Sequence, residues 1–263
     1  MKIKFWQEEW NNISLLEIAK SLNYPLNQVA DYRIYEEYYN RLEKNGYKFH
    51  EGWLEAKWKT SFLIRSFIDD YGNIEDIKNP RVLSVGVGLG IIEAHLIEKG
   101  YDITLQECQE ASFNYLRNKN LSAKMIISQN LMDIGGDSFD IVYSITSTYA
   151  MDDDVYLDFL KSMKRIVKHS GFILIWEHLA TLDSVVKDGI KQFIGYHQPK
   201  GILWGWLRPI RDHISLAKEA GLRMEEALLF DRNQNIVKKT NKTGTICHVF
   251  NRCPIGMMIY KKD

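Results

Sequence analysis

The segment from Ser84 to Gly90 carries glycines at alternate positions, Gly86, Gly88 and Gly90, directly after a short apolar run and before a helical pattern. Glycine lets the backbone turn sharply and lets a ligand approach without a Cβ atom in the way. The free N–H groups at the start of the following helix favour negative or electron-rich groups. The segment is therefore predicted to hold a ligand at a strand-to-helix turn.

The spacing of these glycines separates two kinds of adenosine-containing ligand. A dinucleotide-binding turn has the spacing G-x-G-x-x-G, which requires a glycine at Ile91, whereas this chain has G-x-G-x-G. Glu107 ends the next predicted strand, about 20 residues beyond the loop, where a carboxylate accepts hydrogen bonds from ribose hydroxyls. Glu107 fits both kinds of ligand, and the glycine spacing argues against a nicotinamide dinucleotide.

Four segments in order resemble the motifs of the class I (Rossmann-like) S-adenosylmethionine-dependent methyltransferases. They lie within residues 81–178, roughly a third of the chain. Segment 82–90 resembles the family's first motif, and 102–107 its second strand with the ribose-binding acid. Segment 137–144 resembles the approach to the fourth strand, and 168–175 the glycine turn before the fifth. The resemblance implies S-adenosyl-L-methionine as cofactor and S-adenosyl-L-homocysteine as its product.

The resemblance also implies which residues contact this cofactor. The glycine loop would line its methionine and ribose side, and Glu107 would hold the ribose hydroxyls. Cys108 would lie beside the adenine edge, Asn130 would read the adenine amino group, and Leu131 would pack on the ring. The implied cofactor-binding residues are Gly86, Val87, Gly88, Gly90, Glu107, Cys108, Asn130, Leu131, Ser144 and Ile145.

Ser84 departs from the family's pattern. The family usually has Asp or Glu at this position, and that acid helps to place the methionine ammonium group. Another acid, for example from the N-terminal helices, is one way to replace it. Ser84 also favours a hypothesis of a different class, in which the chain is a non-catalytic module that binds S-adenosylmethionine or a partner.

Methyl transfer from a sulfonium is an in-line displacement in which the protein aligns the reactants and excludes water. A hydroxyl acceptor must lose a proton and needs a general base, whereas a neutral amine does not. Tyr149, Glu177 and His178 are the candidates on the acceptor side. His178 directly follows the fifth predicted strand and is the predicted base, with Tyr149 as the second catalytic residue. A structural histidine bonded to nearby backbone is the alternative.

Aromatic and cationic residues in two segments are predicted to bind the acceptor. Indoles stack on flat or sugar-like faces, while Arg and Lys hold phosphate or carboxylate. A loop that simply packs its tryptophans on the sheet is the alternative for the second segment, residues 196–211. The predicted acceptor-binding residues are His50, Trp53, His197, Trp204, Trp206 and Arg208.

The elements that must position these residues are short apolar strands that alternate with helices after residue 80, a pattern typical of βαβ units. The predicted fold is α/β, a doubly wound, mostly parallel seven-stranded sheet with an N-terminal helical cap. The cap covers residues 1–75 and shows no convincing strand. The cofactor-binding domain covers 76–263, with acceptor-side insertions at about 180–212 and 231–253; the second is either a mobile surface loop or part of the acceptor site.

Composition limits the class of function. The 263 residues are 45% hydrophobic, enough for one sizeable core. Lys plus Arg equals Asp plus Glu at 34 each, without the basic excess of a nucleic-acid binder. No signal peptide or membrane span is predicted, the three cysteines do not suggest a disulfide framework, and no metal site is expected. These features predict a cytoplasmic monomer or homodimer with a small-molecule acceptor.

The predicted reaction is methylation of an oxygen, because of His178 and the aromatic loop. The Lys-, Ile- and Asn-rich composition suggests an AT-rich bacterial genome, and by association a sugar or a phosphorylated or anionic precursor of surface polysaccharide as the acceptor. N-methylation of a small amine is the alternative enzymatic function.

Overall fold

The computed structural model describes residues 3–6, 9–26, 28–180, 186–187, 190–191, 204–231, 235–240 and 255–262. The strands are β1 (Ile3–Trp6), β2 (Glu9–Trp10), β3 (Ile13–Ser14), β4 (Val82–Val85), β5 (Ile103–Glu107), β6 (Lys124–Ile127), β7 (Phe139–Ile145), β8 (Val167–His178), β9 (Val186–Lys187), β10 (Ile190–Lys191), β11 (Trp204–Leu207), β12 (Leu222–Phe230), β13 (Ile236–Thr240) and β14 (Ile255–Lys262). The α-helices are α1 (Leu15–Ser21), α2 (Tyr32–Lys44), α3 (Glu51–Ile74), α4 (Ile91–Glu98), α5 (Asn114–Asn118), α6 (Asp153–Ile166) and α7 (Ile210–Glu219). No helix in these ranges is long and apolar enough to cross a membrane.

The main sheet has the strand order β13-β12-β14-β8-β7-β4-β5-β6. Strands β8, β7, β4, β5 and β6 pair in parallel, and β14 lies antiparallel between β8 and β12. The predicted α/β, mostly parallel fold is confirmed. The sheet has eight strands in place of the predicted seven, because residues 236–240 of the predicted insertion form an edge strand. Ile236 and Val237 of this strand are exposed, as an edge position allows.

The central strands β4 and β7 are almost continuously buried, as expected where helices cover both faces of a parallel sheet. From β4 the chain builds outward to β5 and β6 on one side and to β7 and β8 on the other. The strand order therefore reverses between β4 and β7. Open α/β sheets bind ligands outside the carboxyl ends of their strands at such a switch point. The loops after Val85 and Ile145 leave the sheet there.

The N-terminal cap is helical, as predicted, but it also contains short strands. Strand β1 pairs antiparallel with β11, with Ile3 opposite Leu207, and joins a four-stranded sheet of order β11-β1-β10-β9. The prediction that residues 1–75 lack strands is wrong for β1, β2 and β3. Pairing between segments about 200 residues apart leaves no mark in the local apolar pattern, which is why the sequence did not reveal it.

The cap packs directly on the glycine loop. The apolar side of α2 buries Ile34, Tyr38 and Leu42 in one hydrophobic cluster with Leu89 and Ile91 of the loop. Helix α2 begins at an Asp31 cap, whose carboxylate accepts the Arg33 N–H at 2.9 Å, so its start is fixed by a local hydrogen bond. The cap and the cofactor-binding domain therefore share part of one core.

Two boundaries between neighbouring elements are abrupt. Helix α6 ends at Ile166, and β8 begins at Val167, where Val167 lies opposite Phe139 of β7. Helix α7 begins at Ile210, directly after Pro209, which is its N-cap. Proline is tolerated at a helix start because the first N–H groups of a helix have no intrahelical partner.

Candidate active site

A cavity of about 900 Å³ lies between the cap and the carboxyl ends of the parallel strands. The glycine loop forms one wall, the ends of β5, β7 and β8 form another, and helices α2 and α3 cover it. This size lies within the range of ligand-binding pockets, roughly 300–1,000 Å³. The cavity thus occupies the switch point that the sheet topology defines.

The glycine loop has a backbone that other residues rarely adopt. Gly86, Gly88 and Gly90 have φ values of +68°, +59° and +66°. A Cβ atom on Gly88 would lie 3.1 Å from the Tyr39 hydroxyl oxygen, and one on Gly90 would lie 2.9 Å from a Leu116 methyl carbon. Glycine is needed both for the left-handed turns and for the close approach of neighbouring side chains.

Glu107, at the tip of β5, is bonded to the glycine loop. Its Oε2 atom accepts the Gly88 N–H at 2.9 Å, and its Oε1 atom accepts the Cys108 N–H at 2.8 Å. The Cys108 thiol donates to the same Oε1 atom. Burial, followed by the Glu107 charge, raises the pKa of this thiol, which therefore stays protonated. The carboxylate is thus held in the cavity wall at the tip of β5.

Ser84 is joined to a buried carboxylate. Glu93 lies in the first turn of α4, is 3% exposed and lines the cavity. Its Oε1 atom accepts the Ser84 hydroxyl at 2.7 Å and the Tyr143 hydroxyl at 2.9 Å. Burial raises the pKa of Glu93, while these hydroxyls and the charge of Lys57 act in the opposite direction. A buried carboxylate from α4 thus lies beside Ser84, at the corner where the family usually has an acid.

His178 ends β8 and lines the cavity. Burial, assisted by the positive charge of Lys57, lowers the pKa of His178 to about 4, so the imidazole is neutral near pH 7. The adjacent Glu177 is engaged on both oxygens: Oε2 accepts the Thr148 N–H and hydroxyl at 3.0 and 2.6 Å, and Oε1 accepts the His178 N–H at 3.0 Å. Glu177 therefore orders the loop after β7, and His178 is one of the basic residues that line the cavity, together with His50 and Lys57.

Tyr149 also lines the cavity, with its ring 6.4 Å from that of Tyr35 on α2 in an edge-to-face arrangement. Burial raises the pKa of both phenols. Each hydroxyl is therefore protonated near neutral pH, and the two hydroxyls are hydrogen-bonded to each other. Tyr149 is suited to orient an acceptor rather than to remove its proton.

Most of the predicted cofactor-binding residues line the cavity, and two of them, Asn130 and Ser144, do not. Asn130 is exposed, and its side chain accepts the Met132 N–H at 2.9 Å in place of facing the cavity. Ser144 is buried, and its hydroxyl is bonded to that of Ser147, which lines the cavity. The predicted cofactor residues that line the cavity are Gly86, Val87, Gly88, Gly90, Glu107, Cys108, Leu131 and Ile145.

Arg208 does not line the cavity, contrary to its prediction as an acceptor-binding residue. It is 1% exposed, and its guanidinium donates to Asp153 at 2.8 Å and to the carbonyls of Thr148 and Met151. It also lies 4.9 Å from the centre of the Tyr156 ring. All these contacts hold the loop between β7 and α6. The cation is used in the fold because buried carbonyls need donors.

The other predicted acceptor residues divide into three groups. His50 and Trp53, at the start of α3, line the cavity. Trp206 is half-buried on β11 and is not part of the lining. His197 lies outside the described residues, and Trp204 is described only by its backbone in β11.

Several lining residues were missed by the sequence analysis. Tyr35 and Tyr39 stand four positions apart on α2, so they share one helix face, and Lys57 lies on α3. Glu93 follows the last loop glycine by three positions. That spacing places an acid in the first turn of a helix at the ligand-binding end of the sheet, a signal that the sequence does contain.

The glycine turn, the acid at the tip of β5 and the cavity at the switch point define a Rossmann-like nucleoside-binding protein. Residues 83–175 match a family model described as a methyltransferase domain. Residues 83–175 thus form a methyltransferase domain, and the cavity residues fit S-adenosylmethionine as its cofactor, with a carboxylate at the tip of β5 and alternate glycines that leave room for a close approach.

Two solved structures with TM-scores above 0.5 support the fold. The methyltransferase CcbJ from Streptomyces caelestis is 14% identical, with a TM-score of 0.53 over 78% of this chain and 89% of its own. The glycopeptide N-methyltransferase MtfA, complexed with sinefungin, is 11% identical, with a TM-score of 0.53 over 75% of this chain and 93% of its own. Mitomycin 7-O-methyltransferase MmcR is 16% identical, with a TM-score of 0.49 over 70% of this chain; the chain spans about half, 49%, of that protein. No curated protein sequence matches the chain.

Proposed function

We propose that the protein transfers a methyl group from S-adenosylmethionine to an oxygen of a small, hydroxyl-bearing acceptor, with His178 as the general base. The observation that carries this proposal is the position of a neutral imidazole in the cavity that the glycine loop also lines. A neutral imidazole is the form that accepts a proton. An amine acceptor would need no such group.

The bound cofactor supplies an electrophilic methyl group. The residues of this chain bind and orient the acceptor, exclude water and remove its proton. His178 would accept the hydroxyl proton at its imidazole. Its low pKa makes it a weak base, which suffices because the acceptor oxygen becomes strongly acidic as its bond to carbon forms. Tyr149, a protonated phenol that is hydrogen-bonded to Tyr35, would help to orient the acceptor.

The lining favours a flat or sugar-like acceptor. Trp53, His50 and Tyr35 present rings to the cavity, and such rings stack on sugars and on aromatic compounds. Arg208 gives no support for an anionic acceptor, because its guanidinium is used within the fold. Compounds with hydroxyl-rich rings are therefore the first candidates for the acceptor. Phosphorylated and nucleotide-linked sugars, the precursors of surface polysaccharide and intermediates of the cytoplasm, belong to this class.

The test is a screen with labelled cofactor on the full chain. The panel contains free sugars, phosphorylated sugars, nucleotide-linked sugars, phenols and small amines, and the methylated atom of any product is assigned by NMR. We expect turnover of a hydroxyl compound and an O-methyl product. Turnover of amines alone would replace the proposal with N-methylation. Tight cofactor binding without turnover of any compound would favour a non-catalytic module.

His178→Asn is the decisive variant once an acceptor is known. General-base catalysis contributes about 100- to 10,000-fold, so we expect kcat to fall by at least 100-fold. Affinity for S-adenosylhomocysteine should stay within about twofold, because His178 is proposed to act on the acceptor. His169→Asn is the matched control, since His169 is exposed on the same strand. Equal rates for the two variants would remove His178 as the base.

A further inference from the structure

Glu93 and Lys57 are side chains of opposite charge that both line the cavity. Glu93 is buried beneath the glycine loop on α4, and Lys57 is half-buried on α3, which packs against α4. Each side chain shifts the pKa of the other toward its charged form, against the opposing effect of burial. A buried carboxylate and a half-buried ammonium at one ligand cavity are costly to maintain without a role.

The hydrogen bonds around Glu93 show how its carboxylate is held. Both neighbouring hydroxyls, from Ser84 and Tyr143, donate to the same oxygen, Oε1. The side chain is fixed by these two donors while the carboxyl group contributes to the cavity wall. Glu177, another buried acid of the cavity, accepts hydrogen bonds from the loop after β7 and from its own strand. Glu93 differs in that both of its hydroxyl donors bond one oxygen, and in that it lines the cavity together with the glycine loop.

Lys57 lies on α3 in the lining of the cavity. Its ammonium nitrogen lies 5.3 Å from the centre of the Trp53 ring, and its charge is felt by Glu93, Glu177 and His178. Helix α3 thus brings a cation to within electrostatic reach of an acid on α4.

We propose that Glu93 and Lys57 together recognise the zwitterionic amino-acid end of the cofactor. The Glu93 carboxylate pairs with the α-ammonium group, and the Lys57 ammonium pairs with the α-carboxylate. The cofactor carries these two charges on adjacent positions, and the two side chains offer the complementary pair beside the glycine loop. Ser84 then acts as a positioning residue, which orients Glu93 through its hydroxyl.

Calorimetry on the cofactor-stripped full chain with three ligands tests each charge separately. S-adenosylhomocysteine carries both charges, its decarboxylated form, S-adenosyl-3-thiopropylamine, carries the ammonium alone, and 5′-methylthioadenosine carries neither; all three have an uncharged thioether sulfur. For Glu93→Gln we expect affinity for the first two ligands to fall about 10-fold or more, with 5′-methylthioadenosine unchanged. For Lys57→Gln we expect the loss only with S-adenosylhomocysteine.

The controls use the same helices. Glu98→Gln on α4 and Lys59→Gln on α3 change exposed residues of the same types and should leave all three affinities unchanged. Ser84→Asp combined with Glu93→Gln returns a carboxylate to the same corner and should recover part of the lost affinity. Equal weakening of all three ligands in Glu93→Gln would indicate a purely structural role and overturn the proposal.

The wild-type protein provides a test that does not depend on variants. S-adenosylhomocysteine should bind at least 10-fold more tightly than 5′-methylthioadenosine, because only the former carries the two charges. Equal affinities would overturn the role of Glu93 and Lys57 while leaving the cofactor assignment intact. Absence of binding by all three ligands would instead contradict that assignment, together with the pairing built on it.

Discussion

The Glu107 carboxylate accepts the backbone N–H of Gly88 at 2.9 Å, which ties the tip of β5 to the middle of the glycine loop. The same carboxylate bonds the Cys108 N–H through its other oxygen. One side chain therefore fixes the loop and presents acceptor atoms to a ligand. The effect of Glu107 on the loop can be separated from its effect on a ligand by combining a variant of Glu107 with a modified ligand.

We expect Glu107→Gln to weaken binding of S-adenosylhomocysteine by about 10-fold, because one charged acceptor of the ribose hydroxyls is lost. In the wild type, a 2′-deoxyribose analogue should bind more weakly than the parent ligand. In the variant this difference should shrink. Calorimetry measures both, with Glu110→Gln, an exposed neighbour, as control. An undiminished penalty for the deoxy analogue in Glu107→Gln would show that another group binds the ribose.

Gly90→Ala should destabilise the protein by about 1–2 kcal/mol, because L residues resist the left-handed backbone, and φ here is +66°. The new Cβ would also lie 2.9 Å from Leu116. Urea denaturation measures the loss. Gly52→Ala is the control: Gly52 lies in α3 with no atom within 4 Å of its added Cβ, so alanine should be neutral or stabilising there. A Gly90→Ala protein as stable as the wild type would contradict the observed turn.

Stability should fall as the pH is lowered below about 6.5, in part because of His213. Burial lowers its pKa to about 3, and its Nδ1 atom faces the Tyr156 hydroxyl at 2.9 Å. The unfolded chain takes up a proton at a pH near 6.5 and the folded chain does not, so His213 destabilises the fold by about 2 kcal/mol at pH 5. His178 acts in the same direction.

The buried acids Glu93 and Glu177 act in the opposite direction, since burial raises their pKa values and the folded state takes up protons first. The difference between the wild type and His213→Gln isolates the histidine. Free energies of unfolding from urea titrations at pH 7.5 and 5.0 should show a smaller acid-induced loss in the variant. Equal losses in the two proteins would mean that His213 is not buried in its neutral form.

The pH dependence of kcat/KM for the acceptor should show no ionisation of His178 near pH 6.5. The pKa of this imidazole is lowered to about 4, so it remains in its base form between pH 5 and 8. Lys57→Met removes the neighbouring positive charge and should raise that pKa. NMR titration of the His178 ring, assigned by comparison with His178→Asn, checks both statements directly. A His178 ring that titrates near pH 6.5 in the wild type would contradict the burial of this site.

Arg208→Met should cost about 2–4 kcal/mol of stability, because the carbonyls of Thr148 and Met151 lose a buried charged donor. The effect is measured by urea denaturation. At a temperature where the variant is folded, its KM for the acceptor should stay close to that of the wild type. A selective rise of that KM, with stability unchanged, would restore Arg208 as an acceptor-binding residue.

The features that the sequence could predict are those encoded by neighbouring residues. Buried runs such as β4 and β7, the alternate glycines and the acid at position 107 follow one another in the chain, and their order alone specifies the switch-point turn. A family resemblance over the same stretch added the cofactor. These are local patterns that the sheet then brings to one edge.

The features that could not be predicted depend on partners far apart in the chain. The hydrogen bond between Tyr143 and Glu93 and the pairing of β1 with β11 join segments that no local pattern connects. Arg208 has the chemistry of an anion-binding residue, and only its burial against loop carbonyls shows that its donors are already used. Burial is a property of the whole fold. From the sequence alone, an arginine at position 208 therefore fits both an acceptor-binding role and a structural role.

Leu89 and Ile91 of the glycine loop belong to the same apolar cluster as Ile34 and Leu42 of the cap. By thermodynamic linkage, a nucleoside that rigidifies the loop also raises the free energy of local opening of residues 9–50, and hydrogen exchange should slow across α2 when it binds. Deleting the first 75 residues would likewise expose the loop's apolar side chains to water. Cofactor binding and the folding of the N-terminal cap are therefore expected to stabilise each other.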